Sequence, residues 1–367
     1  MRLEASLALC LLLGGVALAK DPPNTLSKRE TKEGYQLLFD GTTLTGWAPR
    51  GKAVWSVKDG EIVVEAGQRG VLGSLVAASD FRLKLEVWID GVANSGVFLR
   101  APGSGALGQQ NAYEVNLYDA HPTWPTGSVN GVAKSRGKVK TSGRWSRIEV
   151  TAKGVRLQVK VNGKIAVKTK DTRHREGCFG LQYNGQGVVK FRNLKLLPLA
   201  PTWRHIFDGR TLSGWARRGD ANWKVANGLL VAKSGSGVLA TKESFSDFRL
   251  RLEFWIDDDA NSGVFLRAPT TGTIGQANAY EVNLFDAHPK WPTGSVNGVA
   301  KNPHGPKTTR RWNTLEVLAQ GAKLVVTLNG EAVVTTNDPK HSAGSLGLQY
   351  NGRGVVKFRN VRIQPVR

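Results

Sequence analysis

Cysteine is almost missing from this chain. Of its 367 residues only Cys10 and Cys178 carry thiols. Cys10 falls in a short leader-like segment, so no disulfide is available to the rest, and each folded unit must stand on its apolar core. Cys178 has Ser345 as its counterpart in a second half of the chain, which predicts a buried structural residue rather than a reactive one. Acidic residues are scarce: 29 stand against 51 Lys and Arg, for a formal net charge of +22. The excess is spread along the chain, with 28 basic and 15 acidic residues over 20–200 and 22 and 13 over 201–367. Such a field favours anionic partners. Zinc-finger, basic-zipper and base-stacking patterns are absent, so nucleic acid is not the expected partner. Acidic glycans or envelope material are. No apolar run is long enough to span a bilayer. The one at residues 7–16, after Arg2 and before Ala17-Leu18-Ala19, reads as a signal peptide over 1–19 and predicts a secreted or periplasmic protein. Phosphate-binding glycine loops, nucleophile elbows and HExxH are missing as well, which removes the commonest nucleotide, serine-hydrolase and zinc-protease chemistries.

What is present is a repeat with uneven drift. NAYEVNLYDAHPTWPTGSVNGVAK at 111–134 returns as NAYEVNLFDAHPKWPTGSVNGVAK at 278–301, changed only at Tyr118/Phe285 and Thr123/Lys290. GLQYNGQGVVKFRN at 180–193 returns at 347–360 with one change, whereas KGVRLQVKVNGKIAVK faces the much altered QGAKLVVTLNGEAVVT. Polar and aromatic residues are thus held alike in both copies. Strand signals dominate. Phe81, Leu83, Leu85 and Val87 alternate with Arg82, Lys84 and Glu86, the period of a half-buried strand. Further short strands are predicted at 60–65, 96–100, 112–117, 147–152, 155–161, 179–182 and 188–196, and Asn162-Gly163 is a strong hairpin signal. Many short strands without helices predict an all-β protein of two tandem jelly-roll sandwiches, over 34–198 and 202–366, joined by a stiff proline-flanked link.

The chemistry-bearing residues cluster in the repeated blocks. With Tyr113, Val115 and Leu117 facing the core, Glu114 and Asn116 project together from the other face, and Asp119 and His121 follow at the strand's end. Glu281, Asn283, Asp286 and His288 repeat the set. A carboxylate, an amide, a second carboxylate and an imidazole so close together suit a general base or part of a divalent-metal site; the alternative is a salt-bridged glutamate and a turn-capping aspartate. Arg100 and Arg267, in the repeated ANSGVFLR, would emerge beside the glutamates, either to bind an oxyanion or as structural partners. Trp124 and Trp291 sit on proline-stiffened loops suited to stacking on a sugar. Lys134 and Lys301 end the block and would line the cleft. His205 and His304 have no counterparts and are expected at the surface.

These blocks resemble the DUF1080 family, also called 3-keto-disaccharide hydrolases: FDG-x-TL-x-GW (39–47 and 207–215), DFRLxLE (80–86), ANSGVFLR (93–100), the Y-E-V strand ending in Asp119, and VxFRN (189–193). The resemblance covers nearly all of both copies. It implies a concanavalin A-like jelly roll in an exported carbohydrate-active protein that cleaves 3-keto-glycosides. Glu114 or His121 would then act as base, with Arg100 or a metal at Asp119 stabilising the enolate, and Glu281, His288, Arg267 and Asp286 would repeat these roles. Asn116, Trp124, Lys134 and Gln182, with Asn283, Trp291, Lys301 and Gln349, would hold substrate. Members commonly carry Q-[DN]-H-G where this chain has Gln182-Tyr183-Asn184-Gly185 and Gln349-Tyr350-Asn351-Gly352. A non-catalytic glycan-binding tandem is the alternative reading.

Overall fold

The computed structural model describes residues 22–136 and 139–366; the expected signal peptide lies outside them. Each half is a β-sandwich around its own core. In the first unit the front sheet orders Tyr113–Leu117, Ser95–Ala101, Gly177–Tyr183 and the facing ends of Glu61–Ala78 and Trp47–Lys58. The back sheet orders Lys164–Lys170, Arg156–Val161, Ser146–Lys153, Phe81–Ile89 and Val189–Pro198, and is completed by the other ends of the same two long strands. The short strand expected at 60–65 is therefore the start of an 18-residue strand that passes from one sheet to the other. Register shifts opposite Gly51–Ala53 and Val54–Trp55 let it bend there. The second unit makes the same turn with broken strands, Trp215–Gly219, Lys224–Ala226, Leu229–Ala232 and Gly237–Thr241.

Alternation decides what is buried. Phe81, Leu83, Leu85, Val87 and Ile89 are each at most 2 % exposed, while the residues between them form the outer surface of the back sheet. The Asn162-Gly163 hairpin forms as expected, with φ of 49° and 79°, both in the left-handed region that these two residue types tolerate. Asn162 Oδ1 also accepts the Arg147 N–H at 2.8 Å, which ties the turn to the neighbouring strand.

The units are joined by backbone as well as by chain. Strand Trp203–His205 pairs on one side with Ala77 and Val76 of the first unit and on the other with Ile363 and Arg362 of the second. Trp203 buries its ring against Ala77 and Cys178. His205, expected at the surface, is only 4 % exposed in this seam. Burial and the nearby Arg362 and Arg50 guanidiniums push its pKa down to about 3, so it is neutral.

A second device recurs at the back sheets. A short helix, Lys28–Glu33, closed by a Ser27–Glu30 capping box, lies over the first unit's back sheet. Its Glu30 binds Lys195 Nζ at 2.7 Å and Lys84 Nζ at 3.1 Å. Burial opposes ionisation of Glu30, but Lys195, the Ser27 N–H and Lys84 outweigh it and hold the pKa down to about 2. A carboxyl with a depressed native pKa stabilises the fold above its unfolded value, ~4.3, and loses that contribution as pH falls towards its native one. Melting curves across pH 2–5 are therefore expected to fall more steeply for the parent chain than for Glu30→Gln, the two converging at the acid end.

Candidate active site

The front sheet's outer face carries the site, and glycine makes room for it. Glu114 lies opposite Phe98 and diagonal to Gly96 across the Ser95–Ala101 pairing. A Cβ on Gly96 would come within 2.8 Å of Glu114 Oε1, and one on Gly263 within 2.5 Å of Glu281 Oε1. The repeated Asn-Ser-Gly thus leaves space for the carboxylate. Its serine fixes the next strand: Ser95 Oγ donates to Gln182 O at 2.7 Å and Ser262 Oγ to Gln349 O at 2.6 Å.

The loop after the glutamate strand returns to cover it. Asn116 N–H donates to Ser128 O, Gly127 N–H to Asn116 O, and Asn130 N–H to Glu114 O, so residues 127–130 run as an extra edge segment. Glu114 is consequently 5 % exposed and Glu281 4 %. Burial raises the Glu114 pKa, moderated by hydrogen bonds from Gln109, Asn130 and Gln182 and by the nearby His121. Gln109 Nε2 donates at 3.2 Å, and in the second unit Gln276 Nε2 donates to Glu281 at 2.9 Å. A desolvated carboxylate ringed by amides is a base held at elevated basicity.

His121 completes the arrangement. Its Nδ1 accepts the backbone N–H groups of Thr123 and Trp124 at 3.1 and 3.0 Å, as His288 does for Lys290 and Trp291. The neutral ring therefore carries its proton on Nε2, as a donor. Trp124 is half-buried beneath Lys134 Nζ, 6.0 Å from the ring centroid. At Trp291 the cation is Lys290, at 5.2 Å, while Lys301 is exposed. Beside Gln182 a cavity of about 300 Å³ opens towards Arg50, Arg69, Leu107 and Asn184.

Three expected roles do not survive the geometry. Arg100 does not reach Glu114. Its φ of 51° and the bulge between Cys178 and Gly180 interrupt the alternation, and the guanidinium is enclosed between loops, donating to Ser79 O, Gly154 O, His174 O and Asp80. Arg267 repeats this with Ser246 O, Gly321 O, His341 O and Asp247. Asp119 is not poised for a metal, because its oxygens already accept from Thr126, Thr141 and Ser142. Burial pushes its pKa up, but these donors prevail and lower it. Asp286 is held likewise by Thr293 and Thr308. Among the described residues no three His, Cys, Asp or Glu side chains are grouped to hold a metal. Asn116 and Asn283 face outward as expected, but their side-chain amides donate to Trp124 O and Trp291 O, so they position the loop rather than present themselves to a ligand. Gln109, Asn130 and Gly96 are the site residues that motif reading passed over.

The fold and site together define a tandem of concanavalin A-like jelly rolls, each with a buried glutamate on its front sheet. The chain belongs to the 3-keto-alpha-glucoside-1,2-lyase-like domain family, whose model matches residues 34–197 and again 202–364. Among solved structures it is similar to two candidate glycosyl hydrolases from Parabacteroides distasonis. One is 20 % identical, with 49 % of this chain and 100 % of that one covered and a TM-score of 0.43. The other is 22 % identical, with 45 % and 99 % covered and a TM-score of 0.40. A carbohydrate-binding module of Bacillus subtilis is 18 % identical over 41 % of this chain and 95 % of its own, with a TM-score of 0.33. No curated protein matches the chain. Membership makes this a carbohydrate-active protein of the glycoside-acting class. Among the described residues no helix is long and apolar enough to cross a membrane.

Because Arg100 is fully enclosed, Arg100→Met leaves at least three backbone carbonyls without their donor. A loss of about 3–5 kcal/mol in denaturant unfolding is expected.

Proposed function

We propose that each unit cleaves the glycosidic bond of a 3-keto-glycoside by abstracting the proton at C2. The observation that carries this reading is the buried, amide-ringed Glu114, matched in the second unit by Glu281 with its Gln276 contact. A ketone at C3 acidifies the C2 proton. Glu114 takes that proton, and the electron pair moves towards the C3 oxygen as an enolate. His121 Nε2–H and the Gln182 amide are the nearby donors for that oxygen. Collapse of the enolate expels the C1 substituent, whose oxygen takes the proton from Glu114. The products are an unsaturated ketone and the free alcohol, and water adds to the ketone afterwards. Trp124, beneath Lys134, offers a platform for the apolar face of a neighbouring sugar. The overall positive charge suits acidic glycans as the natural substrate and an exported location for meeting them.

The double variant Glu114→Gln with Glu281→Gln is expected to lose at least about 100-fold in turnover of a 3-keto-glucoside while still binding it. Retained turnover overturns the assignment of the base, and binding without turnover in the parent chain points instead to a lectin-like tandem. The base must be ionised, so kcat/KM of a Glu281→Gln chain is expected to rise with pH through a value above the ordinary carboxylate range. The sign for stability is opposite. A carboxyl whose native pKa is raised stabilises the fold only while protonated, and that contribution is lost as pH climbs through the native value. Glu114→Gln is therefore expected to raise the melting temperature at neutral pH.

A further inference from the structure

The two back sheets bear the same clasp with different occupants. In the first unit, Lys84 and Lys195 hold Glu30 of the N-terminal helix, and Lys84 Nζ lies 4.2 Å from the Tyr35 ring centroid. In the second unit the matching positions are Arg251, Arg362 and Trp203. The carboxylate they hold is Glu176 of the first unit, at 3.5 Å from Arg251 and 2.7 Å from Arg362. Both guanidiniums lie over the Trp203 ring, at 4.9 and 5.1 Å. The cavities beside the clasps correspond too. One, of about 240 Å³, is lined by Glu86, Glu149 and Asn193; the other, of about 380 Å³, by Glu253, Glu316 and Asn360 together with Gly103 and Glu176 of the first unit.

We infer that this back-sheet face is a docking surface for the edge of another jelly roll, and that the N-terminal helix occupies it in the first unit in place of a preceding unit. The helix is a cap that stops head-to-tail growth at that face.

The opposite end of the chain supports this. The first unit's docking edge presents Val76, Ala77, Gly103, Glu176 and Cys178. Val76 and Ala77 pair with the Trp203–His205 strand, Gly103 leaves room for the His205 ring where a Cβ would collide with it, and Cys178 packs under Trp203. At the same five positions the second unit has Glu243, Ser244, Thr270, Ala343 and Ser345. Each residue that makes the first edge adhesive is replaced by a polar, bulkier or uncharged one; Glu243, Ser244, Thr270 and Ala343 are exposed, with Glu243 paired to Arg204, while Ser345 is buried. Polar replacement is the pattern by which exposed sheet edges avoid self-association. A heterologous contact repeated without closure generates an open filament. The helix on the first unit's face and the altered edge of the second unit both block that outcome.

The test restores both ends in the full chain. Glu30→Lys sets a cation against Lys84 and Lys195 and opens the first unit's face. Glu243→Val, Ser244→Ala, Thr270→Gly, Ala343→Glu and Ser345→Cys transplant the adhesive edge onto the second unit. By light scattering and sedimentation, the sixfold variant is expected to grow in mass with concentration. The fivefold edge variant with Glu30 intact, and Glu30→Lys alone, are expected to keep the mass of the parent. A sixfold variant with parent-like circular dichroism that stays at parent mass overturns the inference. So does equal assembly by Glu30→Lys alone, because the occupant would then need no unit-type edge. Should the sixfold chain fail to fold, Glu30→Lys with Thr270→Gly, Ala343→Glu and Ser345→Cys is judged by the same criterion.

Discussion

Asp119 organises the front of the first unit, and its contacts decide whether there is a site at all. The bare front sheet would leave Glu114 on an open surface with ordinary hydration. It is enclosed because residues 118–130 fold back along the edge of their own strand. Val129 anchors that return in the core, and backbone bonds to Glu114 and Asn116 fix it along the edge. The Asp119 carboxylate adds the side-chain hold, gathering Thr126 from the returning segment and Thr141 and Ser142 from the segment beyond. Burying an ion is costly unless donors surround it, and here they do so well enough to lower its pKa. One half-buried carboxylate, ionised and saturated, thereby enables a second, Glu114, to be buried and basic. Asp286 anchors the corresponding loop over the buried Glu281.

Period-two alternation made the strands, the two cores and the outward direction of Glu114 and Asn116 readable before any coordinates. It failed where the backbone broke the period. A single left-handed residue at position 100 moves the arginine from the expected face into a cage of carbonyls, and nothing in Phe98-Leu99-Arg100 announces it. Spacing also could not distinguish a carboxylate awaiting a cation from one already filled by threonines 7 and 22 residues away. Gln109 and Asn130 escaped notice because they reach Glu114 from loops, where periodicity carries no information. Asn130 nevertheless lies within the near-identical block, so the repeat marked it even though no motif did. His205 was misjudged for the converse reason: lacking a counterpart, it looked incidental, yet it belongs to the one surface the two copies do not share.

The uneven drift of the repeat follows from two kinds of constraint. Residues that enclose the glutamate face the same demand in both units and remain the same. Residues at the docking edges face opposite demands, adhesion in the first unit and, at Glu243, Ser244, Thr270 and Ala343, solvent in the second, and have separated accordingly. The clasp shows an intermediate case. Both units keep a pair of cations beside an aromatic ring, but lysines and tyrosine serve for a helix of the same unit, whereas arginines and tryptophan serve for a neighbouring domain. Arginine's planar, more weakly hydrated cation is the better group for stacking and for an interface.

The Cys178 thiol acquires a use from its position. Cys178 is sealed under Trp203 where the units meet, and burial pushes its pKa up to about 11, so while the units stay docked it is neither reachable nor ionised. Only parting the two domains exposes it. The molecule therefore contains its own gauge of inter-domain opening, in which the rate of alkylation at Cys178 measures how often the seam breathes.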